Sequence, residues 1–414
     1  MSASETHSAI EAICRIESTK LIGALTRMVR DLDLAEELAQ DAFVEALEQW
    51  PVSGVPRNTG AWLMTTAKRR AIDRLRRNAR LQQKYETLGV DLAVFSSDGD
   101  PADGADGIED DVLRLMFIAC HPVLSREARV ALTLRLLGGL TTAEIAQAFL
   151  VPEATIAQRI VRAKRTLAAA HVPFEVPNPE ERNARLASIL EIIYLIFNEG
   201  YAATAGSTWV RADLCADALR LGRMLAELAP SECEAHGLVA LMEIQASRFR
   251  ARTGANGEPI LLLDQDRSRW DRASIRRGIA ALERAELHGT LGPYALQASI
   301  AACHARAFRA EETDWMRIVA LYDALAELQP SPIVELNRAV AVGMAYGPAA
   351  GLELVDALRD VPALQSYHLL PSVRGDLLRK VGREQEARTE FARAAALAKN
   401  TRERELLRKR AGLR

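Results

Sequence analysis

Long apolar runs are missing from this 414-residue chain; no stretch approaches the roughly 18 apolar residues of a membrane span. The first residues carry no signal-peptide core. Both absences lead to the expectation of a cytoplasmic protein with no membrane partner. Cysteine is sparse: Cys14, Cys120, Cys215, Cys233 and Cys303 are scattered and form no CxxC pair. That excludes a zinc ribbon and a disulfide framework, and it fits a reducing compartment. A strong net charge is lacking too, since 53 bases stand against 55 acids. Any nucleic-acid role must therefore come from local patches. Nucleotide-binding glycine patterns, nucleophile elbows and histidine–carboxylate metal constellations are all absent, and the 7 histidines are spread thinly. The expectation is no enzyme, no cofactor and no metal. Cys120-His121 and Cys303-His304 set two ligand types side by side, but neighbours on a helix point apart, and buried cysteine is the ordinary outcome.

What is present is helical. Apolar spacing of three and four dominates and no alternating strand run stands out, so the fold expected is all-α. The length admits two to four domains. Between Asp91 and Asp111 there are 8 acids and no base, mixed with Gly, Ser and Pro, which predicts an acidic, disordered linker. A proline-rich joint, VPFEVPNPEE (Val172–Glu181), separates an N-terminal half from a larger C-terminal one. In the latter, LAELAPS (Leu225–Ser231) returns as LAELQPS (Leu325–Ser331), offset by 100 residues, about three ~34-residue helical hairpins. Towards the end, Gly375, Ala387 and Ala394 stand where two packed helices need small residues, with Leu378 and Phe391 as bulky partners. That spacing resembles a tetratricopeptide (TPR) repeat, which stacks into a solenoid.

Two elements suit nucleic acid. In TTAEIAQAFLVPEATIAQRIVRAKRTL (Thr141–Leu167), Thr141 and Glu144 form a capping box that starts a helix at Thr142. Pro152 suits the first turn of a second helix. There, Ile156, Ile160, Ala163 and Leu167 share a buried face, and Thr155, Gln158, Arg159, Arg162 and Arg165 line the opposite one. Hydroxyl, amide and guanidinium groups bond base edges and phosphates in a major groove, as helix-turn-helix docking requires. The second element, Arg57–Arg80, holds 8 bases and 1 acid. Met64, Ala67, Ala71 and Leu75 share a face, while Trp62, Arg69, Arg70, Asp73, Arg76 and Arg77 cluster on the other. Arginines can track phosphates while an aromatic ring stacks on an unpaired base; the alternative is a Trp62 tucked into the core.

Upstream, Asp31–Trp50 is acidic. Ala39, Phe43, Ala46, Leu47 and Trp50 fall on a buried face, and Glu37, Asp41, Glu45 and Glu48 form a stripe. One-signed charge repels DNA, so this stripe should meet a basic protein or solvent. FNEGYAATAG (Phe197–Gly206) fits either a ligand loop or a helix end at Gly200.

AEELAQDAFVEAL, PRNTGAWLMTTAKRRAIDRLRR and LLGGLTTAEIAQAFLVPEATIAQRIVRAKRTL, in this order, resemble the extracytoplasmic-function sigma factors of bacterial RNA polymerase. ILEIIYLIFNEGYAATAG, LCADALRLGRMLAELAP, DQDRSRWDRASI and ALYDALAELQPSPIVELNRAVAV look like the subgroup with a TPR-type C-terminal extension. The resemblance implies that Glu36, Glu37, Gln40 and Asp41 bind the beta-prime clamp helices of core polymerase. It implies that Pro56, Arg57, Asn58 and Thr59 capture a flipped −10 base near Trp62, with Lys68, Arg69, Arg70 and Arg74 on the helix behind. Thr155, Gln158, Arg159 and Arg162, with Arg165 on the same face, would read the −35 element of promoter DNA. The acidic linker would thread the polymerase channel towards the RNA exit. The division expected is region two over 1–80, linker over 81–108, region four over 109–171, joint over 172–184, helical extension over 185–289 and TPR-like repeats over 290–414. A protein or peptide partner suits the last of these. The residues also admit a helix-turn-helix regulator with a TPR-like sensor, or a TPR scaffold that does not bind DNA.

Overall fold

The computed structural model describes residues 3–86, 105–202, 210–254 and 257–413. Among these the fold is all-helical, as the spacing predicts; no strand forms, and a lone antiparallel bridge joins Thr253 to Pro259. The chain groups into two compact units, 1–192 and 193–414.

The first unit is built from α1 (Ala3–Val29), α2 (Leu32–Ser53), α3 (Thr59–Glu86), α4 (Ala105–Ala119), α5 (Arg126–Leu136), α6 (Thr142–Phe149), α7 (Glu153–Ala169) and the start of α8 (Pro179–Tyr201). Helix α1 packs against α2, α3 and α4. Leu21, Ile22 and Leu25 of α1, Leu38, Ala42 and Trp50 of α2 and Leu63, Ala67 and Ala71 of α3 are buried. Asp31 caps α2, its carboxylate accepting from the Leu34 N–H at 3.0 Å. Helix α5 packs against α7, and α6 against both.

The acidic stretch needs a correction. Its residues 91–104 lie outside the described residues, but 105–111 open α4. Asp111 is fully buried, pairing with Arg27 of α1 at 3.0 Å and with Arg114 at 2.8 Å. Burial raises its carboxyl pKa, with the two guanidiniums opposing. Composition could not reveal that this one acid in the run meets two cations. The proline-rich joint runs into α8, which begins at Pro179, and the N-terminal part of α8 belongs to the first unit. Arg185 donates to the Phe117 carbonyl at 3.0 Å, and Ser188 donates to the Cys120 carbonyl at 2.7 Å. The divide therefore falls inside α8.

The second unit continues with the rest of α8 and α9 (Ala212–Leu228), α10 (Cys233–Ala246), α11 (Arg272–Leu287), α12 (Pro293–Arg306), α13 (Trp315–Leu328), α14 (Pro332–Ala345), α15 (Pro348–Ala357), α16 (Leu369–Lys380), α17 (Glu384–Leu397) and α18 (Thr401–Ala411). Helices pack chiefly on their chain neighbours, as in a solenoid. Both LAEL repeats close a helix, α9 and α13, before a turn. In the α16–α17 pair, Leu378, Ala387, Phe391 and Ala394 are buried, and a Cβ on Gly375 would lie 2.8 Å from Phe391. The small-against-large spacing is thus realised as packing. Gly200 does not end its helix: α8 runs through it to Tyr201, and its missing side chain lets Arg211 and Cys215 approach. Residues 203–206 of that motif lie outside the described residues.

Candidate nucleic-acid interface

The α6–α7 pair forms from local signals. Thr141 accepts from the Glu144 N–H at 3.2 Å, and the Glu144 carboxylate accepts from the Thr141 N–H at 2.7 Å, completing the capping box. Helix α6 stops where Leu150 turns left-handed (φ 52°, ψ 42°), a conformation costing a non-glycine residue about 1–2 kcal/mol. The Val151 N–H then donates to the Ala146 carbonyl at 3.1 Å, and Pro152 is the N-cap of α7. Ile156, Ile160, Ala163 and Leu167 are all buried, as the spacing predicts. Gln158, Arg162 and Arg165 are exposed, with Thr155 and Arg159 half-buried beside them. Arg159 lies near Glu127 of α5, whose carboxyl pKa is lowered first by its own backbone N–H and by Ser125, then by Arg159. The outward face thus carries an amide between guanidiniums.

The α2–α3 pair is partly different from expectation. Trp62 is half-buried, its ring edge-to-face with Trp50 at 5.3 Å, so it leans towards the core. Asn58 caps α3, its carboxamide oxygen accepting from the Ala61 N–H at 3.0 Å. Arg57 beside it is exposed, and Thr59 is half-buried. The buried stripe of α3 is Leu63, Thr66, Ala67 and Ala71; Met64 is half-buried and Leu75 is 39% exposed. Residues 72–77 of α3 are exposed.

The acidic stripe and the arginine row meet each other. Arg70 donates to Glu45 at 2.7 and 3.1 Å and to Asp41 at 3.2 Å. Arg69 reaches Glu45 at 3.4 Å, and Arg74 lies 3.8 Å from Glu37. The hydrogen bond that Arg70 donates to Glu45 chiefly raises the Arg70 pKa, against burial. Lys68 stays exposed. Of the four residues matched to polymerase binding, Glu37 and Gln40 are exposed and Asp41 is half-buried. Glu36 is only 8% exposed: one oxygen accepts from Arg135 of α5 at 2.6 Å and the other pairs with Lys164 of α7 at 2.7 Å. Lys164 also donates to Asp33 at 2.6 Å; burial disfavours its charge, but Glu36 and Asp33 outweigh that and raise its pKa. Arg135 and Lys164 are the residues that sequence reasoning missed, since their partners stand 99 and 131 positions away.

Comparison with known proteins gives these faces a context. The family "Sigma-70 region 2" matches residues 17–81, "Sigma-70, region 4" matches 114–167, and a family of unknown function, DUF6596, matches 185–286. An uncharacterized protein of Rhizobium meliloti (strain 1021) is 48% identical over 92% of this chain and 90% of its own length. The ECF RNA polymerase sigma factor SigK of Mycobacterium ulcerans (strain Agy99) is 32% identical over 36% of this chain and 78% of its own. The probable ECF RNA polymerase sigma factor SigI of Mycobacterium tuberculosis (strain CDC 1551 / Oshkosh) is 26% identical over 45% of this chain and 68% of its own. With the region-2 match on the paired-tryptophan helices and the region-4 match on the capped helix-turn-helix, the chain belongs to the ECF family of RNA polymerase sigma factors.

Proposed function

We propose that the chain is a promoter-specificity subunit working in the cytoplasm, not an enzyme. Its α2 face, with Glu37, Gln40 and Asp41, would bind the beta-prime clamp helices of core polymerase. Gln158, Arg162 and Arg165 would enter the −35 major groove, with Thr155 and Arg159 at the margin. Around Arg57, Asn58, Thr59 and Trp62 an unstacked −10 base would be held, offsetting an opening cost of a few kcal/mol per step. Lys68 suits phosphate contact better than Arg69 or Arg70, which Glu45 engages. Residues 1–80 and 109–171 would carry these tasks, with 81–108 as their acidic connection. The helices over 185–289 and the TPR-like ones over 290–414 would form a regulatory surface for a protein or peptide.

The observation that carries this reading is the exposed Gln158–Arg162–Arg165 row opposite a fully buried stripe. Run-off transcription with core polymerase tests it. Arg162→Ala with Arg165→Ala should lower output from a cognate promoter, and unchanged output would count against the docking. A chain ending at Ile192 keeps the α8 contacts to α4 and, through Arg129 and Ser188, to α5, and is the form to compare with the full chain.

A further inference from the structure

The regions that match separately as region 2 and region 4 are joined here by a set of polar contacts. Glu36 gives one carboxylate oxygen to Arg135 and the other to Lys164 and is only 8% exposed, which withdraws it from an incoming protein. Asp33 adds a second acceptor for Lys164 at 2.6 Å. On the neighbouring α1, Thr19 donates to the Leu137 carbonyl at 3.1 Å, and Arg27 pairs with the buried Asp111. Gly23 lies so close to α4 that a Cβ there would sit 3.1 Å from the Asp111 carbonyl oxygen. Thus α1 and α2 face α4, α5 and α7 with matched charge and a close backbone approach. The Gln158, Arg162 and Arg165 side of α7 stays exposed throughout.

We infer that this arrangement is a closed, self-restrained state of the N-terminal half, in which Arg135 and Lys164 occupy Glu36 and compete with core polymerase for the α2 face. The inference rests on the assignment of α2 as the polymerase-binding helix. A carboxylate held by two cations is strongly anchored while closed, yet on opening all three groups regain water together. Such a contact sets a specific arrangement without making its release prohibitive. A polymerase that needs α2 uncovered then binds with an apparent affinity reduced by the open fraction.

The test uses the full chain and purified core polymerase, with binding followed by fluorescence anisotropy. Arg135→Gln combined with Lys164→Met removes both cations. Gly23→Leu instead wedges α1 from α4 by overpacking against the Asp111 backbone, raises α1's own helix propensity and leaves Arg135 and Lys164 in place. Both variants should bind core polymerase about fivefold more tightly than wild type, whereas Lys164→Arg should match it. Hydrogen exchange along α1 and α4 should quicken in both opened variants. Wild-type binding with unchanged or weaker binding by both opened variants would overturn the closed state. Failure of the wild type itself to bind core polymerase would overturn the assignment of α2 beneath it.

Discussion

Arg70 and Lys68 are near neighbours on one basic helix, yet they should fail in different assays. Arg70→Ala deletes a guanidinium that is 39% exposed and donates to Glu45 at 2.7 and 3.1 Å and to Asp41 at 3.2 Å. Fully buried, a charge-assisted hydrogen bond contributes about 1.5–3 kcal/mol. Solvent screening at this exposure reduces the whole cluster to about 1–2 kcal/mol. In a unit of 192 residues that corresponds to a fall in Tm of roughly 2–8 °C. Lys68 is exposed, so Lys68→Ala should change stability by less than about 0.5 kcal/mol. If Lys68 meets a phosphate, its loss should reduce the slope of log K against log salt by about 0.7–0.9. Thermal unfolding by circular dichroism and a salt titration of the polymerase–promoter complex measure the two effects. The reasoning fails if Arg70→Ala melts like wild type and flattens the salt dependence instead.

Thr141→Ala should destabilise the helix-turn-helix by about 1 kcal/mol, read as faster hydrogen exchange across α6, because it removes the acceptor for the Glu144 N–H. Gly375→Val forces a side chain into Phe391 and should cost about 1–3 kcal/mol; a melting temperature equal to wild type would contradict the packing. His304 is 7% exposed and its Nδ1 has no hydrogen-bond partner; burial first, then Arg248 and Arg267, lowers its pKa to about 3. It stays neutral when folded but takes up a proton below about 6.5 when unfolded, so its contribution to stability is full above that pH and falls by about 1.4 kcal/mol per pH unit towards 3. His304→Phe, which keeps a ring beside Trp315, should have a shallower acid loss of stability than wild type; equal slopes would reject the assignment.

The helix-turn-helix was legible because its determinants are neighbours in the chain. A capping box spans three residues, and the Ile156–Leu167 stripe repeats at helical spacing, so burial of one face exposed the other. The α2–α3 pair was half legible. Both stripes were visible, but periodicity states which face a residue occupies, not what covers it, and the covering partner of Glu45 proved to be Arg70. Trp62 showed the same limit: its place on a basic face left stacking or burial open until Trp50 stood beside it. The acidic run misled because composition averages over residues. Asp111 belongs to that run by sequence and to the core by virtue of Arg27 and Arg114.

By itself the sequence determined the helices, their caps and their apolar faces, and also the order of the two sigma regions, since each depends on contacts or patterns within a few turns of chain. Tertiary structure alone decided that Glu36 would be enclosed by Arg135 and Lys164, that α8 would begin in one unit and end in the other, and that Arg69 and Arg70 of α3 would pair with Glu45 and Asp41 of the α2 stripe. Those outcomes depend on charges brought within hydrogen-bonding distance from positions far apart in the chain, where the strength of a pair follows separation in space and exposure to water.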